Sequence, residues 1–301
     1  MKNNVKYYQV AGITVQVNSD FPISENTFHP KFRLFEVDGP SEDNIIIHHH
    51  FHLPVEKKTF DHSHKVFKDN QWEIFKTENT WIYKYNPIFE NTGFPSIGFF
   101  NKDHTSNHIY TDKISKEIYQ NYSFPSLTLF NNDQILFAKL LSDRNGIIIH
   151  SNGFNIGGKG VLLTGNSGVG KSTLSKMLKN CGHNILCDDR MFTIKKKDGF
   201  WIYGSWCHGT VPDSSSMAVP LKAIFFLEQS KENTISLIEN KKVIVAKLIK
   251  SLVRPLMTHD GWENTFEILS HLPKDVLCYK LKFDLSGKIC KQMEDLIEES
   301  K

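Results

Sequence analysis

Residues 165–173 read Gly165-Asn166-Ser167-Gly168-Val169-Gly170-Lys171-Ser172-Thr173, a full G-x-x-x-x-G-K-[ST] phosphate loop. The apolar run Gly160-Val161-Leu162-Leu163-Thr164 before it reads as a buried strand. Thr173 to Leu178 after it opens a helix, with Leu174, Met177 and Leu178 at helical spacing. Gly165, Gly168 and Gly170 let the backbone curl until successive N–H groups converge on an anion. The helix N-terminus adds its partial positive charge there. In such a loop Lys171 reaches the β- and γ-phosphates and the Ser172 hydroxyl holds Mg²⁺. These residues, Gly165 to Thr173, are therefore the expected binding site for ATP and its Mg²⁺.

A phosphate loop needs a carboxylate to complete the metal site. Asp188 and Asp189 follow Asn184-Ile185-Leu186-Cys187, 17 and 18 residues beyond Lys171. That spacing fits one helix and a return strand directly beside the first, which brings both carboxylates near the phosphates. One can bind Mg²⁺ and the other can accept a proton from an attacking hydroxyl. The residues alone leave open which does which. Arg190 is placed to pair with a phosphate or with Asp189.

Elsewhere the pattern gives an α/β organisation in two parts. Residues 5–112 alternate as strands at Ile13–Val17, Phe32–Val37 and Trp81–Tyr85, with a hairpin between Trp72–Lys76 and Trp81–Tyr85. Turn clusters fall at Asp38-Gly39-Pro40 and Asn91-Thr92-Gly93. Leu127 to Arg144 reads as a helix ended by Asn145-Gly146. Strands at Ile147–His150, Ile185–Cys187, Met191–Ile194, Trp201–Tyr203, Ala223–Leu227, Ile235–Leu237 and Val276–Phe283 follow, with helices at 241–256, 262–271 and 287–299. The expected boundary separates a β-rich region, 1–125, from a nucleotide-binding region, 126–301.

Composition narrows the function. Net charge is +3, and the 36 basic residues include only Arg33, Arg144, Arg190 and Arg254. Dispersed lysines with so few arginines argue against a nucleic-acid reader. No stretch approaches the ~20 apolar residues of a membrane span, and the N-terminus lacks an apolar signal core. The five cysteines form no C-x-x-C pair, which fits a reducing compartment, read as the cytoplasm. Leu285-Ser286-Gly287 lacks the following Gly-Gln of a transporter ATPase signature. His48, His50 and His52 in Ile46–His52 would share one strand face, with His62 and His64 nearby. No carboxylate or cysteine stands at ligand spacing, so an exposed histidine-bearing sheet face is the simpler reading than a metal platform.

The loop, then Gly182-His183, then Asp188-Asp189-Arg190 at this distance resembles the catalytic core of HPr kinase/phosphorylase and its relatives. His150, 21 residues before Lys171, matches a histidine that family carries on the strand before the loop. Gly204-Ser-Trp206-Cys-His208-Gly209, Pro220–Glu228 and Val276–Phe283 are similar to the HPr-kinase-related subgroup. The resemblance covers about residues 127–298. It implies a core shared with ATP-dependent phosphoenolpyruvate (PEP) carboxykinase. It also implies catalytic roles for Asp188, Lys171 and His150: Asp188 as general base, with His150 hydrogen-bonded to the carboxylates and tuning them. Asp189 would join Ser172 at the metal. It implies an ATP-dependent kinase acting on a serine or threonine hydroxyl of a peptide or small protein, and a homo-oligomer. The segment after Gly209 lacks the Glu-x-Arg-Gly-Leu-Gly signature of true HPr kinases, which argues against HPr as the acceptor and against phosphorylase activity. A small-metabolite kinase, its pocket built from the Trp-containing 201–208 segment, and a nucleotide-sensing regulatory module are the alternatives. His183 reads equally as a helix cap or an active group. His208 is a candidate for the acceptor pocket, and Arg254 a candidate phosphate contact on a predicted helix.

Overall fold

The computed structural model describes residues 4–54, 63–88, 93–130, 133–207, 214–254 and 259–299. The chain is a mixed α/β protein, mostly strands, and its described residues form two nine-stranded sheets. It divides into two units, Met1–Leu136 and Phe137–Lys301.

The first unit holds β1 (Val5–Val10), β2 (Ile13–Ser19), β3 (Glu36–Val37), β4 (Asn44–His50), β5 (His64–Lys68), β6 (Trp72–Lys76), β7 (Thr80–Tyr85), β8 (Ser96–Asn101) and β9 (Ser106–Tyr110), followed by the short helix α1 (Lys116–Asn121). Their sheet order is β3-β1-β2-β4-β9-β8-β7-β6-β5. The expected hairpin is β6–β7, with Trp72 opposite Tyr85. All neighbours are antiparallel except β2–β4 and β4–β9. Alternate residues of β4 and β8 are buried, as a pleated strand with one face on the core requires. His49 is one of them: its Nδ1 meets the Tyr119 hydroxyl at 2.9 Å and its Nε2 the Leu127 carbonyl at 2.8 Å. Burial pushes its pKa down to about 3, so it is a neutral core histidine.

The alternation at 32–37 misleads. Pro30–Phe35 is a 3₁₀ helix, and only Glu36–Val37 is strand. Pro30 opens the turn, His29 Nδ1 accepts from Lys31 N–H, and Phe32 and Phe35, three apart, both point inward. The helix expected from Leu127 also starts later, as α2 (Gln134–Ser142). Leu129 has φ of 59°, and the Asp133 carboxylate accepts from the N–H groups of Leu127 and Thr128. That local turn takes the place of a helical first turn. α2 ends at Ser142, before the expected Asn145-Gly146, and Asn145, with φ of 55°, closes the turn that leads into the next strand.

The second unit continues with β10 (Gly146–Ile156), β11 (Lys159–Thr164), α3 (Lys171–Asn180), β12 (Asn184–Cys187), β13 (Arg190–Lys196), β14 (Gly199–Tyr203), β15 (Ala218–Gln229) and β16 (Thr234–Leu237). After these come α4 (Lys241–Ser251), β17 (Leu252–Val253), α5 (His259–Asp275), β18 (Leu277–Phe283) and α6 (Lys288–Glu299). The centre is a parallel trio, β11-β15-β18, extended by antiparallel strands. Both faces of the trio are covered, which explains why its strands read as continuous apolar runs. Val161, Leu163, Phe225 and Leu281 pack with Leu174 and Leu178 of α3 and with Ile289 and Met293 of α6. Leu162, Ile224 and Phe226 pack with Ile244 and Leu248 of α4 and with Ile268 and Leu272 of α5. Each such side chain contributes about 1.5–3 kcal/mol on full burial, so α3 is held by its apolar stripe.

Gly204, in the 204–209 motif, has a steric role. A Cβ there would lie 1.8 Å from the Ser215 carbonyl oxygen and 2.7 Å from that of Leu186. Trp206 is buried and meets Phe137 edge-on at 5.3 Å, so it belongs to the core. His208 and Gly209, His62 and the Asn91-Thr92 turn lie outside the described residues. Among the described residues no helix is long and apolar enough to cross a membrane.

Candidate active site

The strand, loop and helix of the 165–173 motif follow one another as the sequence requires: β11 ends at Thr164 and α3 begins at Lys171. Gly168 and Gly170 have φ of 78° and 103°, a left-handed backbone that side-chain-bearing residues rarely adopt. Gly170 is the N-cap of α3 and supplies no side-chain cap, so the first N–H groups of the helix keep no side-chain acceptor from that position. A Cβ on Gly170 would also lie 2.9 Å from the Phe283 ring. Lys171 Nζ donates to the Gly165 carbonyl at 3.0 Å and to that of Asn166 at 3.5 Å, and Gln229 Nε2 donates to the Gly168 carbonyl at 2.9 Å. The loop is thus braced by its own lysine and by the end of β15.

A cavity of about 500 Å³ opens in front of it. Its lining is His150, Asn152, Ser167, Gly168, Gly170, Lys171, Ser172, Thr173, Asp188 and Asp189. The structure therefore gathers there the loop, both aspartates and the strand histidine. It does so by a route other than the expected one. The return strand β12 does not lie beside β11. It pairs with β10, which pairs with β11 on its other edge. β10 is long enough to pair with β12 at residues 153–155 and with β13 at 146–150. Asp188 and Asp189 are the link between those two strands and sit opposite the middle of β10, where Ser151 N–H donates to the Asp189 carbonyl at 2.9 Å. Gly153, opposite Cys187, leaves room for the Met191 side chain: a Cβ on it would meet Met191 Sδ at 2.4 Å.

The β10–β13 register places His150 opposite Arg190. His150 Nε2 lies 2.9 Å from Asp189 Oδ1, and Arg190 Nη1 is ion-paired with Asp189 Oδ2. Of the two pairings read for Arg190, the structure shows the one with Asp189. Burial opposes ionisation of Asp189, but the His150 hydrogen bond and the Arg190 and Lys171 charges outweigh it and hold its carboxyl below the ordinary range. Burial lowers the pKa of Lys171, and Asp189 pulls partly the other way. Asp188 is buried, 6% exposed, whereas His150 is half-exposed at the cavity mouth. Because Asp189 is held below its unfolded value, its ionised form contributes stability above the ordinary carboxylate range, and that contribution is lost as pH falls through the depressed folded value. Replacing His150 by alanine removes the largest lowering influence, so Asp189 should titrate at a higher pH than in the wild type. Carboxyl-carbon NMR of Asp189 through an acid titration checks this; an unchanged midpoint would show that His150 does not tune it.

Asn152 is a site residue the sequence reading missed. It is fully buried, two residues beyond His150 on β10, and donates through Nδ2 to Ser175 Oγ at 2.6 Å, tying that strand to α3. Among the described residues its Oδ1 has no hydrogen-bond partner. Three other candidates fall away from the cavity lining. His183 Nε2 meets Glu294 Oε1 at 2.8 Å and so links the end of α3 to α6. Arg254 is exposed and follows β17, because α4 ends at Ser251, before the expected 256. Trp206 is in the core, as described above.

Residues 126–298 match the family described as SynChlorMet cassette protein ScmC. That span is more than half of the chain, and the chain belongs to this family. It is a different family from the HPr kinase/phosphorylases whose motifs the sequence resembles. No curated protein matches the chain. Among solved structures, the Hpr(Ser) kinase/phosphatase from Coxiella burnetii is similar at 15% identity and a TM-score of 0.30, over 50% of this chain and 93% of that one. A likeness that remote settles neither the fold nor the chemistry.

Proposed function

We propose that the chain is an ATP- and Mg²⁺-dependent phosphotransferase that passes the γ-phosphoryl group to a serine or threonine hydroxyl of a peptide or small protein. One observation carries the reading: a glycine-rich loop, its lysine and hydroxyl, and two adjacent carboxylates line a single cavity of about 500 Å³. Phosphoryl transfer asks the protein mainly for positioning and for stabilisation of developing charge. Backbone N–H groups at 165–173 cradle the β- and γ-phosphates and Lys171 neutralises them. The Ser172 hydroxyl and Asp189 are the residues that would hold Mg²⁺, a hard cation suited to oxygen ligands. Asp189, kept ionised by His150 and Arg190, has the character of a metal ligand more than of a base. That leaves Asp188 to take the acceptor's proton. A second cavity, of about 490 Å³, shares Val169, Gly170 and Thr173 with the loop and adds Phe283 and Leu285, an apolar surface suited to the nucleoside base.

The peptide or small-protein acceptor and assembly into a homo-oligomer belong to the same reading, as does a cytoplasmic setting, in which the five free cysteines stay reduced. The small-metabolite alternative keeps the same core and changes only the acceptor, so the nature of the labelled product separates the two. The test is incubation of the purified chain and γ-labelled ATP with a lysate of its source cells. Label in a peptide or protein, on a phosphoester stable to acid as a serine or threonine phosphate is, is the expected result. Label in a small soluble product, or ATP bound without turnover, would overturn the proposal.

A further inference from the structure

The first unit carries a second constellation that phosphoryl transfer does not use. The parallel pairing of β4 with β9 sets His48 beside His108 and His50 beside Tyr110, all on the sheet face opposite the buried Ile47, His49 and Ile109. One nitrogen from each of His48, His50 and His108 lies within 4.8 Å of the other two. His50 Nε2 and His108 Nδ1 are 3.0 Å apart. Two nitrogens on a tetrahedral zinc with bonds of 2.0–2.1 Å stand ~3.3 Å apart. From the end of β2, Asp20 adds a carboxylate: Oδ1 lies 3.0 Å from His48 Nε2 and Oδ2 lies 3.1 Å from His50 Nδ1. Asp20 therefore accepts from one nitrogen of each ring, which fixes the tautomer and leaves the other nitrogen of each as a lone-pair donor. Carboxylates hold metal-binding imidazoles in this way.

We propose that His48, His50 and His108 form a binding site for one divalent transition-metal ion, Zn²⁺ by its ligand chemistry, with Asp20 orienting the rings from behind. An all-imidazole set disfavours Mg²⁺ and Ca²⁺, which prefer oxygen, and suits Zn²⁺. The site is thus separate in chemistry from the Mg²⁺ site at Ser172 and Asp189. His52, the third histidine of the sequence alternation, lies in a bend beyond the end of β4, and His108 takes its place. The ligands come from the junction of β2, β4 and β9, where the sheet's two parallel pairings meet, so a bound ion clips together strands that are far apart in sequence.

The test titrates the full chain, stripped with a chelator, with zinc chloride in a calorimeter. Co²⁺ in place of Zn²⁺ reports tetrahedral geometry through its visible absorption. Saturable binding of one equivalent is expected. His50→Ala and His108→Ala should each weaken it at least tenfold, and Asp20→Asn by ~10–100-fold, while His52→Ala leaves it within twofold. Circular dichroism confirms that each variant is folded. His108→Gln, which keeps a polar side chain, should show the same loss if His108→Ala fails to fold. Absence of saturable one-equivalent binding to the wild type, or His52→Ala losing as much as the His108 variant, would overturn the proposal.

Discussion

Lys171→Ala should abolish ATP turnover, lowering it by at least ~10²–10³-fold, the range seen when one preorganised donor to developing charge is lost. In the structure the Lys171 ammonium lies over the loop, bonded to the Gly165 and Asn166 carbonyls and lining the cavity. With phosphate present, those ion–dipole contacts to carbonyls exchange for ion pairs with the anionic β- and γ-oxygens, in which both partners are charged. The cost of the substitution should fall on chemistry and nucleotide affinity, and little on folding. The Lys171 side chain is only partly buried, and its ammonium bonds carbonyls of its own loop. Single-turnover release of labelled phosphate, run beside thermal unfolding, separates the two effects. Turnover within a few-fold of wild type in a normally folded variant would remove Lys171 from the mechanism.

Asp188→Asn should leave Mg·ATP binding within a few-fold and lower transfer by ~10²–10⁴-fold, the usual contribution of a positioned general base. The amide is isosteric with the carboxylate, so the buried link between β12 and β13 keeps its shape, but an amide oxygen does not take a proton at neutral pH. The split matters more than the size. Metal binding, assigned to Ser172 and Asp189, should survive, so nucleotide affinity measured with Mg²⁺ present should barely move. Transfer at the wild-type rate would dismiss Asp188 as the base. Loss of Mg²⁺-dependent affinity instead would exchange the roles of the two aspartates.

The features legible in the sequence were those set by near neighbours along the chain. A strand, a glycine-rich turn and an apolar helical stripe are contiguous at 160–178, and they occur there in that order. His150 and Asp189 are different: they meet because β10 and β13 pair antiparallel with His150 opposite Arg190. No local pattern encodes that register. Asn152 did leave a trace, since it stands two residues from His150 on one strand, the spacing that repeats a face. The apolar spacing of Phe32 and Phe35 suits an alternating strand no better than a 3₁₀ turn, and tertiary burial chose the turn. The histidines at 48 and 50 look unpartnered in sequence, because Asp20 and His108 reach them only through parallel pairings between distant strands.

In the proposed reaction one cavity receives both the triphosphate and its metal. The direct measurement is a crystal structure of the chain with Mg²⁺ and a non-hydrolysable ATP analogue. The β- and γ-phosphates should lie on the 165–173 backbone, with the metal held by Ser172 and Asp189 and the γ-phosphate facing Asp188. Nucleotide bound elsewhere on the chain, or phosphates on the loop with both aspartates turned away from them, would contradict it.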